Sequence, residues 1–313
     1  MRKTINDIAR QAGVSKTTVS FAFNDPSRLS RATLDKIMAV ADELGYVPDP
    51  IARTLATRRV GAIGLLLPRP IHVALRNPYL GELIQGIGAA CLEHEYSLMI
   101  VPPVRGKVMD AARRAVVDAL VAIGLGPLDD MINLMKNRHI PLVTIDGDAA
   151  SGVMNVGIDD EQAAFDLMNH LLGLGHRRFA VIGLDEEPGF APGVGMRLTG
   201  GKRMAGLRRA LSGWADAGHG KGLGDDAVEV YRASCSLDGG REAAATILAH
   251  SGATAIVTMA DIMAMGVYRL CRETGVAIPD DLSVASFDDT ELCSLVQPGL
   301  TSIRHPGYMK GYT

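Results

Sequence analysis

Apolar positions follow one rhythm over the first fifty residues and another over the rest of the chain. Near the start, Ile5, Ile8, Ala9 and Ala12 recur at helical spacing. Thr4, with Asp7 three residues on, forms a capping-box-like start, and Gly13 tolerates the positive φ needed where that helix stops. Ser15 is the expected cap of a second helix, on which Val19 and Phe23 turn inward while Lys16, Thr17, Ser20 and Phe21 fan over the opposite side. After the turn cluster Asn24-Asp25-Pro26-Ser27, Ser30 caps a third helix. Leu34, Ile37, Met38, Ala41 and Leu44 are expected to close a small core before Gly45. Asp49 and Pro50 then open a helix over 51–57 that is too short to be stable alone in water.

From Val60 the pattern becomes short continuous apolar runs separated by amphipathic stretches. Strands are predicted at 61–68, 97–102, 119–126, 141–146, 178–184, 227–232, 254–259 and 282–287, with helices at 79–94, 160–174, 202–211 and 261–274 among the connections. Such alternation implies parallel sheets covered on both faces, and the length implies two of them. Functional residues then belong just beyond the carboxyl ends of the strands.

A helix, a short turn with Gly and a second helix with a polar, basic outer face can enter the major groove of DNA, although an ordinary helical hairpin shares that pattern. Charge sharpens the choice. Residues 1–60 hold 10 Lys and Arg against 6 Asp and Glu, leaving 22 against 29 for residues 61–313. A basic head on an acidic body suits a small nucleic-acid-binding module attached to a body that does not touch nucleic acid. Cys91, Cys235, Cys271 and Cys293 are widely spaced and form no C-x-x-C pair, as expected of reduced core residues in a cytosolic protein. There is no run of 18 apolar residues and the first residues lead straight into a capped helix, so neither a membrane span nor a signal peptide is expected.

The run T-I-x-D-I-A-x-x-A-G-V-S-x-x-T-V-S from Thr4, Asn24, E-L-G-Y-x-P at 43–48 and A-R-x-L at 52–55 together resemble the N-terminal region of the LacI/GalR (lactose-repressor) family of bacterial transcription regulators. The resemblance extends more loosely over the remainder. It implies a helix-turn-helix headpiece at 1–47, a hinge helix and linker at 48–60, and a periplasmic-binding-protein-like α/β body of two doubly wound parallel-sheet lobes. The first lobe would comprise 61–159 with 290–313, and the second 160–289. It further implies a cytoplasmic homodimer on palindromic operator DNA, regulated by a small effector and needing no cofactor or metal. Thr4, Ser15, Lys16, Thr17, Thr18, Ser20, Phe21 and Asn24 form the implied DNA-facing set of the headpiece. Lys16, Thr17 and Phe21 occupy base-reading positions, and Lys3, Arg10 and Asn24 are candidates for phosphate contacts. In the hinge the set continues with Arg53, Leu55 and Ala56, and Leu55 matches a leucine that wedges into the minor groove. Phe21 departs from the commoner polar residue; it can meet a thymine methyl but cannot donate a hydrogen bond.

For the body, the resemblance implies an effector site built from Tyr79, Asp159, Arg197, Thr199, Arg203, Asp261 and Asp288. Arg203 to Gly206 matches the family's R-x-x-G-F, with Leu207 in place of the aromatic. The acids at Asp159-Asp160 and Asp288-Asp289 equally suit the capping of exposed backbone N–H groups, and His176 resembles a structural position. Ala260 replaces an amide common in sugar-responsive members, which favours a nucleobase or nucleoside over a pentose, yet no stacking ring lies near Ser234. The family continues beyond L-T-S-I-R-H-P with a further helix and closing strands, so an end at Thr313 is expected to expose apolar surface and weaken dimerisation. Two other readings stand beside this one. An α/β enzyme acting on a sugar or nucleoside lacks a G-x-S-x-G elbow, a Walker A loop or a dinucleotide fingerprint to support it. The third reading is a DNA-binding protein whose body docks a partner protein.

Overall fold

The computed structural model describes residues 3–124, 129–148, 152–185, 196–216 and 223–313; the side chains of Pro50, Ile51, Ala56, Met196, Arg197, Ala215, Asp216 and Asp225 lie outside that description. It divides into two compact units, residues 1–60 and 61–313.

The first unit is helical: α1 (Ile5–Ala12), α2 (Lys16–Asn24), α3 (Arg31–Glu43) and α4 (Pro50–Thr57). The starts of α1, α2 and α3 have the chemistry that the sequence implies. Asp7 accepts from the Thr4 backbone at 3.0 Å, Ser15 Oγ from Thr18 N at 3.0 Å, and Ser30 Oγ from Thr33 N at 3.3 Å. Gly13 ends α1 in the left-handed region, at φ 65°. Ile8, Ala12, Val19, Ala22, Ile37 and Ala41 form the core, flanked by Phe23 against Tyr46. Met38 is not part of it: at 38% exposure it sits on the outer side of α3, one residue past the buried Ile37.

The second unit contains, in order, β1 (Ala62–Leu66), α5 (Ile71–Ala74), α6 (Pro78–Glu93), β2 (Ser97–Val101), α7 (Val108–Arg114), β3 (Ala119–Ile123), α8 (Asp129–Arg138), β4 (Leu142–Ile145) and β5 (Met154–Val156). It continues with α9 (Asp160–Gly173), β6 (Phe179–Leu184), α10 (Met196–Asp216), β7 (Val228–Ala233), α11 (Leu237–His250), β8 (Ala255–Thr258), α12 (Asp261–Thr274), β9 (Ser283–Asp288), α13 (Leu292–Leu295), β10 (Thr301–Arg304) and α14 (Gly307–Tyr312).

The strands form two parallel sheets, ordered β2-β1-β3-β4-β5 and β10-β9-β8-β6-β7. All eight predicted strands are present. The two unpredicted ones, β5 and β10, are three and four residues long, and each lies at a sheet edge. Gly61 N donates to Asp118 Oδ2 at 2.7 Å, which fixes the start of β1. Central strands are buried on both faces, with Leu65, Leu66 and Leu67 at 0% exposure; each such side chain contributes roughly 1.5–3 kcal/mol.

One expected boundary is corrected. The return to the first lobe falls after β10 rather than at residue 290, because β10 pairs with β9 in parallel register, Thr301 with Ala285 through Arg304 with Asp288. Only the segment after His305 belongs to the first lobe, where α14 packs on α6 through Gly86, Gly307 and Gly311.

Candidate DNA-binding surface and interlobe cavity

On the helical unit, Lys16 and Thr17 are exposed, and Ser20 and Phe21 half-buried, on the side of α2 away from Val19 and Ala22. Ser15 and Thr18 share a hydroxyl–hydroxyl hydrogen bond of 2.8 Å at the start of α2, where backbone N–H groups and the helix dipole favour an anion. Asn24 donates back to Ser20 O at 3.0 Å. Arg28 lies over the Phe21 ring, 5.0 Å from its centroid, held there by Asp25 at 2.7 Å. Arg10, an expected phosphate contact, pairs with Asp7 at 2.7 Å but is largely exposed, so that charge is partly answered within α1. Leu55 on α4 is 77% exposed, and Arg53 is exposed as well. Ala56's side chain lies outside the description.

In the α/β unit, the carboxyl ends of both sheets face a cavity of about 140 Å³. Tyr79, Thr199, Arg203 and Asp288 line it, as the sequence suggests, together with Asn77, Asp146 and His305. Arg197's side chain lies outside the description. Two expected residues are elsewhere. Asp159 is exposed and caps α9, accepting from Gln162 N at 3.0 Å. Asp261 is 0% exposed and accepts four hydrogen bonds, from Thr290 N, Thr290 Oγ1, Cys293 Sγ and Ser302 Oγ, at 2.7, 2.9, 3.2 and 2.7 Å. It ties α12 to the loop after β9, and its lone pairs are already engaged.

Beneath the cavity runs a buried chain of charged groups joining the lobes. Arg203 Nε donates to Asp160 at 2.9 Å and Nη1 to Met259 O at 2.7 Å, and the guanidinium lies 4.2 Å from the Phe287 centroid. His305 Nε2 is 3.3 Å from Asp160 Oδ1 and 3.1 Å from Arg203 Nη2. Lys310 Nζ lies 3.0 Å from His305 Nδ1 and 2.5 Å from Asp146, and also meets the Tyr79 hydroxyl at 3.1 Å. Lys310 can only donate, so Nδ1 accepts from it, while Nε2 stands between an acceptor, Asp160, and a second donor, Arg203 Nη2. Burial holds His305 below its ordinary pKa, with the nearby Arg203 and Lys310 charges adding to the effect. Burial opposes the ionisation of Asp160, but the His305 hydrogen bond and the Arg203 charge outweigh it and bring the carboxyl down to about 2. Tyr79 donates to Asp146 at 2.7 Å, and burial together with that carboxylate raises its hydroxyl pKa.

Asp288 differs from the other acids. It is 3% exposed, at φ 118°, and among the described residues its one side-chain hydrogen bond is from Asn77 Nδ2 at 3.3 Å. Burial, only partly offset by Arg203, raises it to about 8. Asp146 and Asp289 also stand in the left-handed region, at φ 53° each, where strand ends turn sharply.

Asp146, His305 and Lys310 are the members that sequence reading missed. Asp146 closes P-L-V-T-I-D, the same strand-end acid signal that singled out Asp288; nothing in G-Y-M-K-G-Y marks Lys310 as buried. His176 bonds Thr254 Oγ1 at 2.9 Å, a structural link as expected.

The pattern of the lacI family of bacterial regulatory proteins matches residues 4–49, and that of the periplasmic binding protein-like domain matches residues 168–312. An HTH-type transcriptional regulator of Mycobacterium tuberculosis is 30% identical over 327 aligned positions, covering 99% of this chain and 89% of its own. DegA, an HTH-type transcriptional regulator of Bacillus subtilis, is 31% identical, covering 98% and 87%. In fold, the chain is similar to the Lac repressor dimer bound to operator and the anti-inducer ONPF, with a TM-score of 0.77 at 23% identity over 100% of this chain and 90% of that one.

Proposed function

Because this chain belongs to the LacI family of bacterial regulatory proteins and is a DNA-binding transcriptional regulator, we propose that it is a cytoplasmic homodimeric repressor whose operator affinity is set by a small effector in the interlobe cavity. Lys16, Thr17 and Phe21 read base edges, while Thr4, Ser15, Thr18, Ser20 and Asn24 hold the register against the backbone. The hinge residues Arg53, Leu55 and Ala56 address the minor groove, with Leu55 as the wedge. Two-fold symmetry matches a palindromic site.

The observation that carries the reading is the cavity placed over a buried polar chain that belongs to both lobes. A ligand bound there touches Asp146 from one lobe and Asp288 and Arg203 from the other. Its differential contacts with open and closed arrangements bias the lobes and, through them, the segments leading to DNA. Tyr79, Thr199, Arg203 and Asp288 are its contacts here; Asp159 and Asp261 support the frame.

The test is fluorescence anisotropy with a pool of palindromic DNA sites carrying a central C-G step, with and without small-molecule candidates, beside Leu55→Ala. Tight, salt-dependent binding that Leu55→Ala weakens and one ligand shifts is the expected result. Binding indifferent to every ligand while the protein still holds DNA would instead favour a body that docks another protein.

A further inference from the structure

Phe21 stands on the outward side of α2, in the row that the reading above turns towards base edges, and the inference rests on that reading. A phenyl ring there meets a thymine methyl but has no donor to offer a purine. A donor stands beside it. Arg28 follows α2 in the short turn Pro26–Arg28, and its guanidinium carbon lies 5.0 Å from the centroid of the Phe21 ring. That separation is within the range of a cation held on an aromatic face.

Asp25 supplies the second hold on Arg28. Arg28 Nε donates to Asp25 Oδ2 at 2.7 Å, while Asp25 Oδ1 accepts from Ser27 Oγ at 2.6 Å, so the carboxylate is itself fixed. Among the described residues, Nε is the only guanidinium nitrogen of Arg28 with a protein acceptor, which leaves Nη1 and Nη2, the end of the fork, without one. The Arg28 side chain is 62% exposed. An exposed ion pair three residues apart adds little to folding stability, so stability does not account for the arrangement. Its effect is to hold a long side chain on two sides with its donor edge turned to solvent.

That edge fits one base. In the major groove guanine offers O6 and N7 side by side, and the two end nitrogens of a guanidinium match them; adenine puts a donor, N6, where guanine has O6. A phosphate is the rival acceptor for the same edge. Asp25 weighs against it, because the Arg28–Asp25 pair carries no net charge. Phosphate attraction depends on net positive charge, whereas the bidentate base contact depends on geometry. The 5.0 Å between guanidinium and ring spans one to two base steps of about 3.4 Å, which sets the guanine beside the pair that Phe21 meets.

We propose that Arg28 is a base-reading residue of the headpiece: stacked on Phe21 and braced by Asp25, it donates from Nη1 and Nη2 to O6 and N7 of a guanine.

The test is selection from a randomised palindromic DNA pool with a central C-G step by the intact chain, followed by fluorescence anisotropy on the selected site and its single-base-pair replacements. The intact chain is expected to require G·C at one position of each half-site that Arg28 governs, with every other pair there binding about tenfold or more weakly. Arg28→Ala is expected to level that position to within about threefold and to leave discrimination elsewhere in place. Asp25→Ala frees the charge but removes the brace, so it is expected to reduce the guanine preference even where overall affinity rises. A phosphate contact gives a different pattern: Arg28→Ala weakens every sequence alike and lowers the salt slope by about one, and Asp25→Ala strengthens every sequence alike. That pattern, or unchanged base preferences in Arg28→Ala, overturns the inference. A thermal melt of each variant checks that the chain is folded. Lys16→Ala and Phe21→Ala separate this inference from the reading beneath it. If either alters the selected sequence and Arg28→Ala does not, α2 faces the bases and Arg28 is not a reader; if none of the three alters it, the base-reading role of α2 fails as well.

Discussion

Arg203 Nε lies 2.9 Å from Asp160 Oδ1, with each side chain only 5% exposed, and the two residues come from neighbouring helices, α10 and α9, of the same lobe. An arginine expected at an effector site is thus also half of a buried ion pair. Removing one member strands the other charge, whereas removing both does not. Arg203→Ala is expected to cost about 3–5 kcal/mol in urea unfolding, and Arg203→Met combined with Asp160→Leu to recover much of that. A single-variant loss below about 1 kcal/mol would show that the pair is not holding the lobe. Any loss of ligand response in Arg203→Ala has to be judged against its folded fraction.

Asp160 and Asp288 have opposite pH signatures. The folded carboxyl of Asp160 sits at about 2, below its ordinary 3.8, so its contribution is complete above about pH 4 and is lost as pH falls through 2. Asp288 sits at about 8, above 3.8, so its contribution is complete below about pH 4 and is lost as pH rises through 8. In unfolding measured across pH, Asp288→Asn is expected to flatten the decline between pH 4 and 8, and Asp160→Asn to flatten the acid limb. Unchanged slopes in both variants contradict the assignment.

Leu55 has little to lose in the folded protein. Leu55→Ala is expected to change unfolding stability by no more than about 0.5 kcal/mol, as an exposed substitution does. Operator affinity is expected to fall much further, because the wedge that offsets base unstacking is gone. Equal DNA affinity of variant and parent, by anisotropy, removes the hinge from the mechanism.

Asp261 is predicted to matter for folding rather than for ligand contact. Asp261→Ala leaves four donors around it without their acceptor and is expected to lower stability by about 3 kcal/mol or more. The fraction that remains folded is expected to keep its ligand affinity, as measured by calorimetry at reduced temperature. A selective loss of binding at full stability would restore Asp261 to the ligand's first contacts.

Gly86 lets α14 lie directly on α6: a β-carbon there would meet the backbone carbonyl of Tyr308. Gly86→Ala is expected to destabilise the first lobe by about 1–3 kcal/mol, the cost of forcing extra volume into a close contact. Gly81→Ala, on the same helix but with open space at the β-carbon, provides the control in the same thermal melt.

Local chemistry determined a great deal by itself. The caps at Thr4, Ser15 and Ser30, the left-handed Gly13 and the two hydrophobic periods depend on residues within four positions of one another, so the helices of the first unit, eight of the ten strands and the outward row Lys16, Thr17, Phe21 are legible in order along the chain. What needed tertiary structure are facts about partners distant in sequence. Asp159 and Asp160 are identical neighbours, yet the turn of α9 sends one to solvent as a cap and the other inward to Arg203 and His305. Asp261 and Asp288 both adjoin strand ends, and only the placement of Thr290 and Ser302 makes the first a satisfied anchor while leaving the second facing the cavity. Lys310 stands 164 residues from Asp146, its closest partner. A buried charge is tolerated only where an opposite charge meets it, and that condition is set by the packing of α14 on α6 rather than by any pattern along the chain.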